Sequence, residues 1–532
     1  MNLFKNSFII SFLYAALAFV VICVMTSGGL GVSSDSENYL TTANCFIQQR
    51  WEEAFNPFWP PLYPLTIAAV KALGVVELVD AARIVSILSF VVVVVTVFLL
   101  GLQLQGKFAA HFSAVSTLFL ASLIYLYCYC WSETVYTMFS VLFFFMLVLF
   151  LKSSKEQGTK YLVWSGIFAG LATITRYIGY SLIGTGILSI LFLSNYHPRS
   201  KKFKKTLKFM LVASIPVFLH YLIHLYYWGL TSKKQFPSQH SFMYQLFQFF
   251  STIYHDFLSF DLSFWKYVFF FEWGVPFFWL RMIILPCVLV LSVLFFKAVL
   301  SSKLHKDLLN PQIAVIFYFV LYSSIILYIS LTIKIDPIGS RFTAPLYPFF
   351  LLLFFFGIFH VYKTLARREA KRLFFNLAIL GVASFWMIQI ISTLSIHKGI
   401  SSGSFPAMEH PGNLNRESIK FLKENVDSND FIITNIYGKL SLIWPRQEPY
   451  PDVPKKDWDK AVNSIMYEAS RRTIYVLLCT EDYSPYGITV EDIETTDEET
   501  GLFYWKKIFG NDYIYKTKHV VFHQPQESKK GD

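Results

Sequence analysis

Long apolar stretches alternate with short polar ones along the first three quarters of the chain. Segments such as 84–104, 134–151 and 342–361 run for about twenty residues with almost no charge, the length that crosses a hydrocarbon core. Reading the apolar blocks in order predicts about eleven spanning helices, near 8–26, 84–105, 108–127, 134–152, 161–175, 178–194, 207–228, 278–298, 312–333, 342–362 and 373–393. The apolar stretch after Lys5 lacks a small-residue cleavage site and reads as a retained first helix.

From about residue 394 to 532 the pattern changes to mixed charge, Pro and Gly. Within it, Ser418 to Val426 has helical spacing (Ile419, Leu422, Val426), and FIIT at 431–434 and TIYVLLC at 473–479 read as buried strands. The expected organisation is an α-helical polytopic membrane domain over 1–393, with a first external loop at 27–83, followed by a small soluble α/β domain over 394–532.

Composition agrees with this picture: 55% of residues are hydrophobic and 15% charged, against about 25% charged in soluble domains. The net charge of +11 raises the question of nucleic acid, but the basic residues sit in short loops between spans, so that partner is excluded. The most basic loops, 197–208 (Arg199, Lys201, Lys202, Lys204, Lys205, Lys208) and 363–372 (Lys363, Arg367, Arg368, Lys371, Arg372), belong on the cytoplasmic side. That places the N-terminus inside, and 27–83, 128–133, 229–277, 334–341 and the C-terminal domain outside. The alternation requires 161–194 to cross twice, so both helices there are short or one is broken beside Arg176. The six cysteines imply no disulfide framework.

Candidate chemistry gathers on the external side. Asp35 and Glu37 in SSDSENYL follow the first span directly. A carboxylate at a lipid boundary is poorly hydrated, which raises its proton affinity and suits it to act as a base. Asp35 and Ser36 are equally suited to cap a short helix over 37–48. The run NPFWPPLYPL at 56–65 holds four prolines and is either a shaped loop or a helix start. Arg176 in ITRYIGY and Arg341 in GSRFTAPLYP are charges in or beside spans, functional by default and able to grip a lipid-linked phosphate, or else to snorkel or form an internal ion pair. Glu133 in CWSETVY is a ligand for metal or substrate, or a helix-start charge. His220 and His224 lie one turn apart without a third ligand, which favours packing over metal binding. His240, His255, Asp256, Asp261, Glu409 and His410 are further external polar groups that the sequence does not rank.

Taken in order, SDSENYL, NPFWPPLYPL, SETVYTMF, GIFAGLATITRYIGY and RFTAPLYP resemble the GT-C glycosyltransferases over residues 1–395, in particular the family-39-like bacterial enzymes related to the protein O-mannosyltransferases and the lipid A aminoarabinose transferase. The resemblance implies an inverting transfer from a polyprenyl-phosphate-linked sugar, bound among membrane lipid, to a glycan, lipid or protein acceptor. It assigns Asp35 as the catalytic carboxylate with Glu37 beside it, and Arg176, Arg341, Tyr39, Tyr63 and Glu133 as substrate-binding residues. Relatives often have adjacent Asp-Glu, whereas Ser36 separates the two here. A divalent metal at Glu133 is compatible with these residues, and no other cofactor is implied.

Two other classes fit part of the pattern. A secondary transporter also uses broken helices and intramembrane arginines, but no internal repeat is visible and the polar groups crowd one face. A polysaccharide ligase or polymerase would share the external arginines. The chain has no Asn-x-Ser/Thr acceptor site, which points to a bacterial plasma membrane.

Overall fold

The computed structural model describes residues 2–55, 59–75, 77–104, 106–153, 158–194, 199–229, 242–258, 306–332, 338–365, 368–401, 417–427, 430–434, 473–479, 490–500, 502–509 and 512–517. The chain divides into two compact units, Met1–Leu30 with Thr42–Gly399, and Gly31–Thr41 with Ile400–Asp532.

The first unit is helical. Its elements are α1 (Asn2–Met25), the C-terminal part of α2 (Ser34–Ile47), α3 (Trp51–Ala54), α4 (Leu62–Ala72), α5 (Leu78–Leu104), α6 (Lys107–Phe119), α7 (Ala121–Tyr127), α8 (Glu133–Lys152), α9 (Gly158–Thr175), α10 (Tyr180–Leu188), α11 (Arg199–Trp228), α12 (Phe242–Leu258), α13 (Lys306–Thr332), α14 (Ser340–Thr343), α15 (Tyr347–Thr364) and α16 (Arg368–Ser401). Among the described residues seven helices are long and apolar enough to span a membrane, or eight if the bent pair α6–α7 is one span. The span expected at 278–298 lies outside the described residues. α5 carries five consecutive valines, 91–95, which disfavour helix in water through restricted χ1. In lipid that preference is overridden, because only a helix satisfies all its backbone groups internally.

Two breaks in these helices position polar side chains. α6 and α7 meet at 56°, with Leu120 extended between them (φ −69°, ψ 109°). The break releases the Ala121 N–H, which donates to Gln389 Oε1 of α16 at 3.0 Å. Thr393 Oγ1 donates to the Phe119 carbonyl at 3.3 Å, and Trp386 Nε1 to Ser116 Oγ at 2.8 Å. One face of α16 therefore holds the bend that aims residues 128–133.

The second break is at Arg176, one of the two alternatives that the crowding of 161–194 left open. Arg176 is extended (φ −150°, ψ 134°) between α9 and a 3₁₀ turn, Tyr177–Gly179. Its own N–H still caps α9 by donating to Ala172 O at 2.9 Å. The chain folds back so tightly that a Cβ on Gly179 would lie 2.5 Å from Thr173 Cα, so only glycine fits.

The second unit contains a four-stranded sheet of order β1-β2-β4-β3, built from β1 (Phe431–Thr434), β2 (Ile474–Cys479), β3 (Phe503–Phe509) and β4 (Asp512–Thr517). β1 pairs parallel with β2, Phe431 opposite Ile474, while β2–β4 and β3–β4 are antiparallel. α17 (Glu417–Asn425) and α18 (Val490–Thr500) complete it, with Leu422 and Ile493 buried. The helix and two strands expected from the sequence are present. The hairpin β3–β4 is an addition to that expectation, although Gly510-Asn511 between two aromatic-rich alternating runs is a hairpin signal.

Candidate functional site

In the first unit, three residues singled out from the sequence meet. α8 begins at Glu133, whose side chain is 1% exposed and whose Oε1 accepts from Arg176 Nη1 and from Arg341 Nε, both at 2.5 Å. The helix break delivers Arg176, and the short α14 delivers Arg341. Ser132 Oγ accepts from Arg176 Nη1 at 3.1 Å and donates to Glu133 Oε2 at 3.4 Å. The Arg341 guanidinium lies over the Trp131 ring, 4.8 Å from its centroid, and Trp131 stacks on Tyr129 at 4.3 Å.

Two guanidiniums thus converge on one buried carboxylate oxygen. Both arginines remain partly exposed, 19% and 14%, and a guanidinium presents a planar fork of donors that matches a bidentate oxyanion. Both guanidiniums engage Oε1 of Glu133, and Ser132 Oγ is the partner of Oε2. No group of three or more His, Cys, Asp or Glu that could hold a metal occurs among the described residues.

Tyr63 belongs to the same neighbourhood. It is fully buried in the first turn of α4 and donates to Cys130 Sγ at 3.4 Å. The proline run resolves into both of its readings: 59–61 is a loop, and α4 starts at Leu62 with Pro64 in its first turn, where the missing N–H costs nothing.

Asp35, Glu37 and Tyr39 belong to the other unit and are described with it. α2 starts at Ser34, three residues earlier than expected. Neither Asp35 nor Ser36 is a cap. Ser33 precedes the helix, its carbonyl accepting from the Glu37 N–H at 3.1 Å, and Ser36 Oγ reaches back to accept from the Ser33 N–H at 3.0 Å. The return bond from Ser36 is one half of a capping box, with serine in place of the usual Glu or Gln, and the two serine hydroxyls lie 3.1 Å apart. Asp35 and Glu37 thus lie in the first turn, favourably placed for the helix dipole and both partly exposed. Tyr39 is buried.

His220 Nε2 lies 3.4 Å from Tyr177 Oη. The structure also reveals residues that the sequence did not rank. Asp256 on α12 accepts from Ser340 Oγ at 2.7 Å, from Thr343 Oγ1 at 3.4 Å and from the Tyr347 hydroxyl. Burial pushes its carboxyl up to about 6, against the opposing pull of those three hydroxyls. Arg83 is a further such residue: its Nε donates to Thr26 Oγ1 at 3.1 Å and its Nη2 to Cys23 O at 3.3 Å, tying α5 to the end of α1. A charge inside an apolar run was the available signal. His240, Asp261, Glu409 and His410, and the side chain of His255, lie outside the described residues.

A groove of about 660 Å³ runs between α12, α13 and α15, lined by residues such as Leu246, Phe249, Phe319, Leu327 and Leu353, and reaches Tyr347.

Residues 59–227 match the family described as dolichyl-phosphate-mannose-protein mannosyltransferase. The structure is similar to the crystal structure of ArnT from Cupriavidus metallidurans in the apo state, with TM-score 0.62 at 11% identity, covering 97% of this chain and 98% of that one. The same protein bound to undecaprenyl phosphate aligns with TM-score 0.61 at 11% identity over 96% and 98%. No curated protein sequence matches. An identity this low speaks for fold alone, but the fold agrees with the family match and with the order of the sequence motifs: the chain is a polytopic integral membrane protein of the GT-C glycosyltransferase fold.

Proposed function

We propose that this protein is an inverting glycosyltransferase that moves a sugar from a polyprenyl-phosphate-linked donor to a glycan, lipid or protein acceptor on the extracytoplasmic face of a bacterial plasma membrane. The observation that supports the reading is the pair of arginines gathered on one oxygen of Glu133 within a helical membrane unit, both still partly exposed. Departure of a polyprenyl phosphate develops negative charge on the phosphate oxygens, and fixed guanidiniums already in place stabilise it without reorganisation. The apolar groove ending at Tyr347 suits an isoprenoid tail, its volume falling in the usual range for ligand sites of about 300–1,000 Å³.

In this mechanism Asp35 takes the proton from the acceptor's hydroxyl or amine. The freed electron pair attacks the anomeric carbon from the face opposite the phosphate, and the bond from that carbon to the phosphate oxygen breaks, so configuration inverts. The phosphate leaves carrying the bonding pair, with Arg176 and Arg341 as its counter-charges. The family resemblance offers Glu37 as a second catalytic carboxylate and Tyr39 and Tyr63 as substrate-binding residues. The ArnT structure with undecaprenyl phosphate supports the donor class by fold likeness.

The test is transfer from radiolabelled undecaprenyl-phosphate sugars in membranes carrying wild type or Asp35→Asn at equal protein level. Loss of transfer in the variant, by about 10²-fold or more as for removal of a general base, is the expected outcome. Full activity in Asp35→Asn would remove Asp35 from the mechanism. Absence of transfer by wild type from every such donor would overturn the glycosyltransferase reading.

A further inference from the structure

Arg341 is carried by α14, the first turn of a helical path that runs on through the 3₁₀ turn Ala344–Leu346 into α15. A first turn lacks intrahelical partners for its own N–H groups and is held in place from outside. One side is held by α13, whose Tyr322 hydroxyl donates to Phe342 O at 2.7 Å. The other is held by α12. There Thr252 Oγ1 donates to Ile338 O at 2.7 Å, and Asp256, one helical turn further on, accepts from Ser340, Thr343 and Tyr347.

The spacing of those three donors is informative. Residues 340, 343 and 347 stand at i, i+3 and i+7, which places their hydroxyls on one face of a nearly continuous helical path. Arg341 is rotated off that face, and its guanidinium reaches Glu133 and Trp131 instead. We infer that Asp256 is a positioning residue: it clamps the hydroxyl face of this turn so that Arg341 is presented to the phosphate of the lipid-linked substrate.

A carboxylate suits the task because it accepts at both oxygens, with about four lone-pair sites for three donors. An Asn offers one acceptor oxygen and turns the other position into a donor facing hydroxyls. Among the described residues the hydrogen-bond partners of Asp256 are hydroxyls, so its role is to order the turn rather than to neutralise a cation.

The significance for phosphate binding rests on the function proposed above, but the positioning itself is measurable without any substrate. Full-length protein in detergent is treated with phenylglyoxal, and modification of each arginine is followed by mass spectrometry in wild type, Asp256→Asn, and the pair Ser340→Ala with Thr343→Val, which removes two of the donors from the other side. Arg341 is expected to react about tenfold faster in both variants while Arg176 is unchanged, a figure typical for loss of a supporting hydrogen bond. Undecaprenyl phosphate is then used as the binding probe. Asp256→Asn should weaken its binding about tenfold, and the same substitution made in an Arg341→Gln background should have no further effect. Unchanged Arg341 reactivity in either variant that folds overturns the proposal, as does an additive loss in the double variant. Failure of the wild type to bind undecaprenyl phosphate would instead defeat the donor assignment, with the labelling still deciding whether Asp256 places Arg341.

Discussion

Two carboxylates of the first unit act on the segment that carries Arg341, and they are compensated in different ways. Glu133 is almost fully buried and is held by two guanidiniums on a single oxygen. Asp256 is partly buried and held by three hydroxyls. Cations lower the energy of a buried anion by direct Coulomb attraction, whereas hydroxyl dipoles do so only weakly. Glu133 is therefore an anion around which two guanidiniums are assembled, and Asp256 is a titratable clamp. The first sets what binds, and the second sets where one ligand arm stands.

The comparison is broken most severely at Glu133. In Glu133→Gln the two arginines lose their shared counter-charge while remaining close together in a largely buried place. Removing one partner of a buried ion pair costs about 3–5 kcal/mol, and the partial exposure of both arginines puts the expected loss near the low end, about 3 kcal/mol. Thermal unfolding of the full-length protein in detergent checks this. A loss below about 1 kcal/mol would mean that the cluster behaves as an exposed pair and does not organise the site.

A smaller effect is expected where the backbone, not the charge, delivers an arginine. Gly179→Ala would place a methyl 2.5 Å from Thr173 Cα, and the backbone on both sides has to move. The expected destabilisation is about 2 kcal/mol, in the range for overpacking. Because the displaced turn adjoins Arg176, phenylglyoxal should modify Arg176 faster while Arg341 keeps its rate. Equal changes at both arginines would show that they move as one body and that the break at Arg176 is not an independent hinge of the site.

Much of this arrangement was legible in the sequence. Apolar length located the helices, since a lipid-embedded backbone has few options. Glu133, Arg176 and Arg341 stood out because charge in or beside such helices is expensive. Fitting two crossings into 161–194 left either two short helices or a break beside Arg176, and the sequence did not choose between them. The direct pairing of these three residues was less legible. An internal ion pair was open for each arginine, but nothing in the spacing of 133, 176 and 341 names the partner. Asp256 was visible only as one polar residue among several in a long external region, and its role depends on hydroxyls at 340, 343 and 347 that read as ordinary helix-start residues. The start of α2 was misplaced for a related reason: Ser33, Ser34 and Ser36 are all competent cap residues, and only the geometry shows that Ser33 and Ser36 act together.

The finest distinction between the two carboxylates is pH. Asp256 has its folded-state value raised from 3.8 to about 6, so the folded protein binds this proton more tightly than the unfolded chain. Its contribution to stability is then complete below about pH 3.8 and declines as pH rises through about 6, the reverse of a carboxylate paired with a cation. The groups facing it are Ser340 and Thr343 of α14 and Tyr347 of α15, with Arg341 on the same turn directed to Glu133 and Tyr322 of α13 bonded to the turn's backbone. Asp256→Asn lacks the titration, so the difference in unfolding temperature between wild type and this variant should shift in the variant's favour across that window and be flat above it. Tyr347→Phe removes a hydroxyl that favours the ionised form, so the upper limit of the window should move above about 6. A window that stays put in Tyr347→Phe would mean that Ser340 and Thr343 alone set the proton affinity of Asp256, and one that moves down would mean that burial is not what raises it.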